Sequence, residues 1–206
     1  PDLLFSVNTL ARQVTKWTTA CDKRLHRLIC YIHFSKNWIQ TCFVGDAPDQ
    51  CWLALFADAG FADRTDSKST SDGYLCLVGK QTFVPITWIC KKQGAISHSS
   101  SEAEVIALDA TVRMEGLPAL IFWDEVLSIF GKPQQHIKAP AGRNTVHVHD
   151  ILMDVDFVPP NLPRIRGEAK LIVFEDNDAV LKMCIKGRPP NMRHVVRTHR
   201  VELHWL

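Results

Sequence analysis

An apolar run of strand length, Trp52–Ala57, ends directly on a carboxylate, Asp58. Unbroken rather than alternating polarity predicts a strand buried on both faces, and hence a sheet covered by helices. Two later strings share the design. SSSEAEVIAL, beginning at Ser99, places Glu104 early in an apolar helix. IVFEDNDAV, beginning at Ile172, places Asp176 just beyond a second apolar run. Strand-tip Asp, helix Glu, strand-tip Asp is a pattern that supplies oxygen ligands from separate elements, as hard cations such as Mg²⁺ require. A pair of such ions can cleave a phosphodiester without a covalent intermediate.

The remaining pattern fills in the elements around these strings. Residues 2–35 carry two helical stripes, Leu3, Val7, Leu10 and Val14, then Leu25, Leu28, Ile29 and Ile32, divided near Lys16–Thr19. Trp38–Val44 suits a strand, and GDAPDQ at 45–50 is a turn and the best domain boundary. Strands are expected at Tyr74–Val78, Val84–Cys90 and Lys170–Glu175. Helices are expected at Ser101–Glu115, Leu117–Phe130 and Asp178–Lys186, with a last one from Thr198. Three strands, then helices, then a strand and a helix suit an α/β mixed sheet flanked by helices. Residues 134–169, with Pro140, Pro159, Pro160 and Pro163, fit none of this and read as a surface insertion.

Charge and cysteine content narrow the classes. The formal net charge is +2, so affinity for a polyanion must come from local clusters: Lys91–Lys92, and the arginines at 188, 193, 197 and 200. Seven cysteines, without a CxxC pair or a signal segment, point to a reducing, intracellular compartment. No apolar run approaches the roughly 20 residues of a membrane span. A chain that starts on Pro1 and stops within an expected helix reads as a piece of a longer protein.

Each carboxylate has a competing, purely structural reading. Asp58 is preferred over Asp63, Asp66 and Asp72, which lie in a Ser/Thr/Asp/Lys-rich stretch expected to be a turn. On a helical wheel Glu104 falls among Ala103, Val105, Ala107, Leu108, Ala110, Val112 and Met114, whereas Glu102 falls on the opposite arc with Asp109 and Arg113. Glu104 is therefore expected to point inward and Glu102 into solvent, with Glu102→Gln nearly silent. The structural alternative for Glu104 is a helix-dipole contact, and for Asp176 an N-cap. On a strand, Glu175 and Asp176 face opposite ways, so only one is expected beside Asp58. His147, His149 and Asp150 form a rival transition-metal pattern without evident further ligands beyond Asp154 and Asp156.

Taken together, FADAGFADRTDSKSTSDGYLCLVGK, ITWICKKQGAISHSSSEAEVIAL, VFEDNDAV and MRHVVRTHRVEL resemble the ribonuclease H domain of copia-type LTR retrotransposon polyproteins. That family reads D-A-D-W-A, K-S-T-S-G-Y, W-x-S-K-K-Q, S-S-T-E-A-E-Y-I-A-L and C-D-N-x-x-A in the same order. PDLLFSVNTLARQ and KRLHRLICYIHFSKN resemble the segment that joins the reverse transcriptase to it. The resemblance implies a ribonuclease H-like mixed sheet over 49–206, preceded by a helical extension over 1–48. It implies hydrolysis of the RNA strand of RNA–DNA hybrids with two Mg²⁺ ions, for which Mn²⁺ can substitute. The ligands would be Asp58, Glu104, Asp176 and Glu202, with His194 or His199 assisting product release. Glu202 stands where the family has Asp, and Gly60 replaces the second Asp of D-A-D. The nucleic-acid contacts expected are Ser69, Thr70, Ser71, Lys91, Lys92, Ser99, Ser100, Ser101, Asn177 and Arg197. The reverse transcriptase domain of the same polyprotein is the expected protein partner. A degenerate binding or polymerase-packing module, and another nuclease of the same fold such as an integrase, are the alternatives.

Overall fold

The computed structural model describes residues 2–61, 67–131 and 168–186, and the single positions 195, 198, 199 and 201. Two helices come first, α1 (Leu4–Ala11) and α2 (Thr19–Ser35). Five strands form one mixed sheet: β1 (Phe43–Val44), β2 (Trp52–Gly60), β3 (Thr70–Gly79), β4 (Thr82–Lys92) and β5 (Leu171–Phe174). Their spatial order is β1-β4-β3-β2-β5. Neighbours are antiparallel except β2 and β5, which run parallel. Between β4 and β5 come α3 (Ser100–Thr111), a π-helical turn (Val112–Gly116) and α4 (Leu117–Phe130). Helix α5 (Asp178–Lys186) follows β5. This helix-flanked mixed sheet is consistent with the ribonuclease H-like fold.

The two faces of the sheet differ in chemistry. Leu53, Leu55, Ala57 and Leu75 pack on one face against Val105, Leu108 and Val112, and against Val180 and Met183 of α5. Each fully buried side chain of this kind stabilises the fold by about 1.5–3 kcal/mol. Helix α3 lies close on this face because Gly73 leaves room: a Cβ there would come within 2.0 Å of Thr111 Cγ2. The other face carries Trp88, Tyr74, Phe56 and Phe174 in one register row across four strands. Phe56 and Phe174 stack at 4.7 Å between centroids.

Several boundaries depart from the pattern-based expectation, among them β2, which runs on to Gly60 instead of ending at Ala57, and β4, which spans Thr82–Lys92 instead of Val84–Cys90. β3 starts at Thr70 rather than Tyr74, because pairing with β2 and β4 continues through Thr70↔Gly60 and Thr70↔Lys92. Two flanking ladders override the turn preference of Ser, Asp and Gly. β1 is confined to Phe43–Val44, the residues that reach β4. The helix expected to continue to Glu115 widens into the π turn after Thr111. There Gly116 meets the tips of Leu55 and Leu171, with 3.0 Å left for a Cβ.

Candidate metal centre

Sheet topology brings the strand-tip acids together. β2 and β5 run parallel with Phe56 opposite Phe174. Asp58, two residues past Phe56 and still paired within β2, and Glu175–Asp176, just past Phe174, therefore lie toward the same end of the sheet. Helix α3 packs across β2 and β3 and delivers Glu104 to that end. Asp58 is exposed, as is Asp176, while Glu104 is 9% exposed. The Ala59 amide donates to Asp58 Oδ1 at 2.8 Å.

Electrostatics shows that these groups sense one another. Burial pushes the Glu104 carboxyl up to about 7, helped by the negative charges of Glu175, Asp58 and Asp176, while a hydrogen bond from the Ala59 backbone pulls it down. Glu175 is also raised, first by burial and then by Asp176 and Asp58, against a hydrogen bond from Asn177. Among the described residues, Glu104 Oε2 and Glu175 Oε2 are buried without a hydrogen-bond partner. Buried carboxylate oxygens in this state favour a proton or a cation. The donors are all hard oxygens, which fits Mg²⁺ or Mn²⁺ in kind. Among the described residues no three His, Cys, Asp or Glu side chains lie close enough together to hold an ion.

Glu175 is the acid passed over in favour of Asp176. The alternation of β5 continues into both residues, with Glu175 half-buried and Asp176 exposed, and Glu175 is the charge that acts most strongly on Glu104. Its signal in the sequence is its parity with Leu171 and Val173, which face α3. Asp72, expected in a turn, is on β3 directly opposite Asp58, and the two line an apolar groove of about 400 Å³ with Leu4, Phe5 and Trp88. Like charges in opposed positions destabilise a sheet.

Glu102 overturns the wheel argument. It is 1% exposed, not solvated. Its amide donates to Ser99 Oγ at 3.1 Å, its Oε2 accepts from the His98 amide at 2.8 Å, and its Oε1 lies 3.1 Å from His199 Nε2. A wheel assumes one buried arc, but at the start of α3 the β4–α3 connection and His199 cover the Glu102 side as well. The spacing Ser99-x-x-Glu102 is a capping-box signature and is the signal that identifies this role.

The expected nucleic-acid contacts separate into groups. Ser69, Thr70 and Ser71 are 0%, 0% and 3% exposed, so the expectation that they meet a 2′-hydroxyl is corrected. Ser71 is tied to α3 by Gln93, whose Nε2 donates to Ser71 Oγ and to the Ala103 carbonyl. Ser99 caps α3, and Asn177 Oδ1 accepts from the Ala179 and Val180 amides, which leaves Asp176 free of the capping role. Lys91 and Ser100 are exposed, and Lys92 and Ser101 are half-buried. The His199 ring, expected close to the metal ions to help product leave, is 4% exposed and lies against Glu102. His194, Arg197, Glu202, the pattern at 147–150 and the insertion over 134–167 lie outside the described residues.

No known family's model matches the chain, and no solved structure matches it. Half of the chain is similar to a transposon polyprotein. The retrovirus-related Pol polyprotein from transposon RE2 of Arabidopsis thaliana is 30% identical over 104 residues, which is 50% of this chain and 7% of the polyprotein. Among the described residues no helix is long and apolar enough to cross a membrane.

Proposed function

We propose that this chain is the ribonuclease H domain of a copia-type retrotransposon polyprotein, a metal-dependent endonuclease that hydrolyses the RNA strand of RNA–DNA hybrids. The observation that carries this reading is the raised Glu104 carboxyl, buried at the sheet end where Asp58, Glu175 and Asp176 bear on it. Asp58, Glu104 and Asp176 would hold two Mg²⁺ or Mn²⁺ ions, with Glu202 as a fourth ligand from outside the described residues. When bound, such a pair supplies an activated water and stabilises the leaving 3′ oxygen. The chain's own part is to gather carboxylates at one end of the sheet and to exclude water behind Glu104, where Ala57 and Val105 are buried. Lys91 and Lys92 lie one and two rungs beyond the level of Asp58, through Ser71↔Ala59 and Thr70↔Gly60, and suit phosphate contacts. Hybrid selection would rest on 2′-hydroxyl contacts in the minor groove, with exposed Ser100 and half-buried Ser101 as candidate donors. The helices of residues 1–48 belong, on this reading, to the end of the preceding reverse transcriptase.

Cleavage of a hybrid labelled on its RNA strand, with Mg²⁺ and then with EDTA, tests this directly. Mg²⁺-dependent cutting that Asp58→Asn abolishes is expected. Equal cutting by Asp58→Asn removes the assignment. One observation favours a second reading, a module that binds nucleic acid or packs against the polymerase without cutting: no three ligands converge among the described residues. Specific hybrid binding with no cleavage in either metal selects that reading.

A further inference from the structure

Helices α1 and α2 and the end of β4 line an open cleft of about 1120 Å³. Its wall carries Arg12, Lys16, Arg24, Arg27 and Lys92 against a single acid, Asp2. That acid already accepts a hydrogen bond from the Tyr31 hydroxyl. Both terminal nitrogens of the Arg12 guanidinium are buried, so positive charge is held inside the wall as well as at its rim. Arg24 and Arg27 are exposed on α2. Of these five cations, only Lys92 belongs to the basic clusters apparent in the sequence. The others are spread over residues 12–27 and are gathered by the packing of α1 on α2.

We propose that this cleft is a phosphodiester-binding site for the nucleic-acid strand that passes the carboxylate end of the sheet. For the identity of that strand the inference rests on the reading above. Lys92 pairs with Thr70, and Thr70 with Gly60, two residues past Asp58. Two strand spacings separate the levels of Lys92 and Gly60, about 10 Å. A nucleic-acid strand carries one charge per roughly 3.4 Å of axis, so that offset spans about three phosphates. The volume is large for a metabolite pocket, and the wall presents several separate cations, which suits successive groups of a polymer over one compact anion. The N-terminal helices thereby act as a backbone grip that sets where a strand lies relative to the carboxylates.

The test is hybrid binding by the full 206-residue chain in EDTA, where nothing is cut, followed by fluorescence anisotropy across a salt series. Arg24→Ala with Arg27→Ala is expected to weaken binding ten- to a hundredfold near ~0.1 M salt and to lower the slope of log Kd against log[salt] by about two. Arg24→Lys with Arg27→Lys restores most of the affinity, and Lys182→Ala on α5 leaves it unchanged. Parental affinity and slope in the double alanine variant overturn the proposal. So does inorganic phosphate that displaces the hybrid as effectively, charge for charge, as single-stranded DNA. A chain that binds through this cleft and cuts nothing sinks the nuclease reading and leaves this one standing. A chain that cuts hybrid, with the double alanine variant binding and cutting like the parent, sinks this one alone.

Discussion

Glu102 and Glu104 stand two residues apart in the first turns of α3, both buried, in opposite circumstances. Around Glu102 polar partners are close: the His98 amide donates to Oε2, the Glu102 amide donates to Ser99 Oγ, His199 Nε2 lies 3.1 Å from Oε1, and Gln93, Ser97 and Ser71 form a hydrogen-bonded cluster nearby. Around Glu104 the neighbours are other acids, and one carboxylate oxygen has no partner among the described residues. Burial alone therefore does not mark a functional acid. A buried carboxylate with its partners in place stabilises the fold, whereas one surrounded by like charge costs stability until a proton or cation arrives.

The contrast is broken most directly by neutralising each side in turn. Asp58→Asn, Asp176→Asn and Glu104→Gln should each lower hybrid cleavage by at least about a hundredfold, the scale of losing one transition-state contact, with far-ultraviolet circular dichroism unchanged. A parental rate in any of them removes that residue from the site. Glu102→Ala should do the reverse. It should destabilise the chain by about 2–4 kcal/mol in urea unfolding, since it strands the His98 amide and His199, while cleavage per folded molecule persists. A silent Glu102→Ala would restore the solvated reading.

Glu104 should also make stability depend on pH. The Glu104 carboxyl sits at about 7, against 4.5 ordinarily. Between these values the folded chain holds a proton that the unfolded chain has released. In metal-free buffer, stability should therefore fall as pH rises from about 4.5 to 7 and level off beyond. The change should be on the order of 1–2 kcal/mol after allowance for solvent screening, and smaller in Glu104→Gln. Mg²⁺ binds the ionised form, so its stabilisation should be greatest above pH 7. Thermal unfolding at several pH values, with and without Mg²⁺, measures both. An identical pH profile in Glu104→Gln would show that Glu104 titrates normally. The smallest effect expected is about 1 kcal/mol of lost stability in Ser99→Ala, from the missing cap.

Much of the scaffold was legible beforehand because it depends on short-range pattern. The unbroken polarity of Trp52–Ala57 matches β2 over Leu53, Ala54 and Leu55, which are buried on both faces, whereas Phe56 is 42% exposed. Gly116-Leu-Pro and Gly131 bracket α4 at Leu117–Phe130, and α5 runs over the expected Asp178–Lys186. The polar residues were less legible. Ser69, Thr70 and Ser71 look like a surface turn, because Ser and Thr reveal nothing about what lies above them. Here it is α3, brought close over Gly73. Asp72 and Glu175 were set aside for the same reason: their neighbours lie on other strands.

The amino-acid order by itself determined which stretches form strands and helices and which acids lie near their ends, since periodicity and caps act over a few residues. Only the tertiary structure decided which of those acids are paired and which are left facing one another. Charge interaction depends on distance through space and on local exclusion of water, and both are set by how β2, β5 and α3 meet.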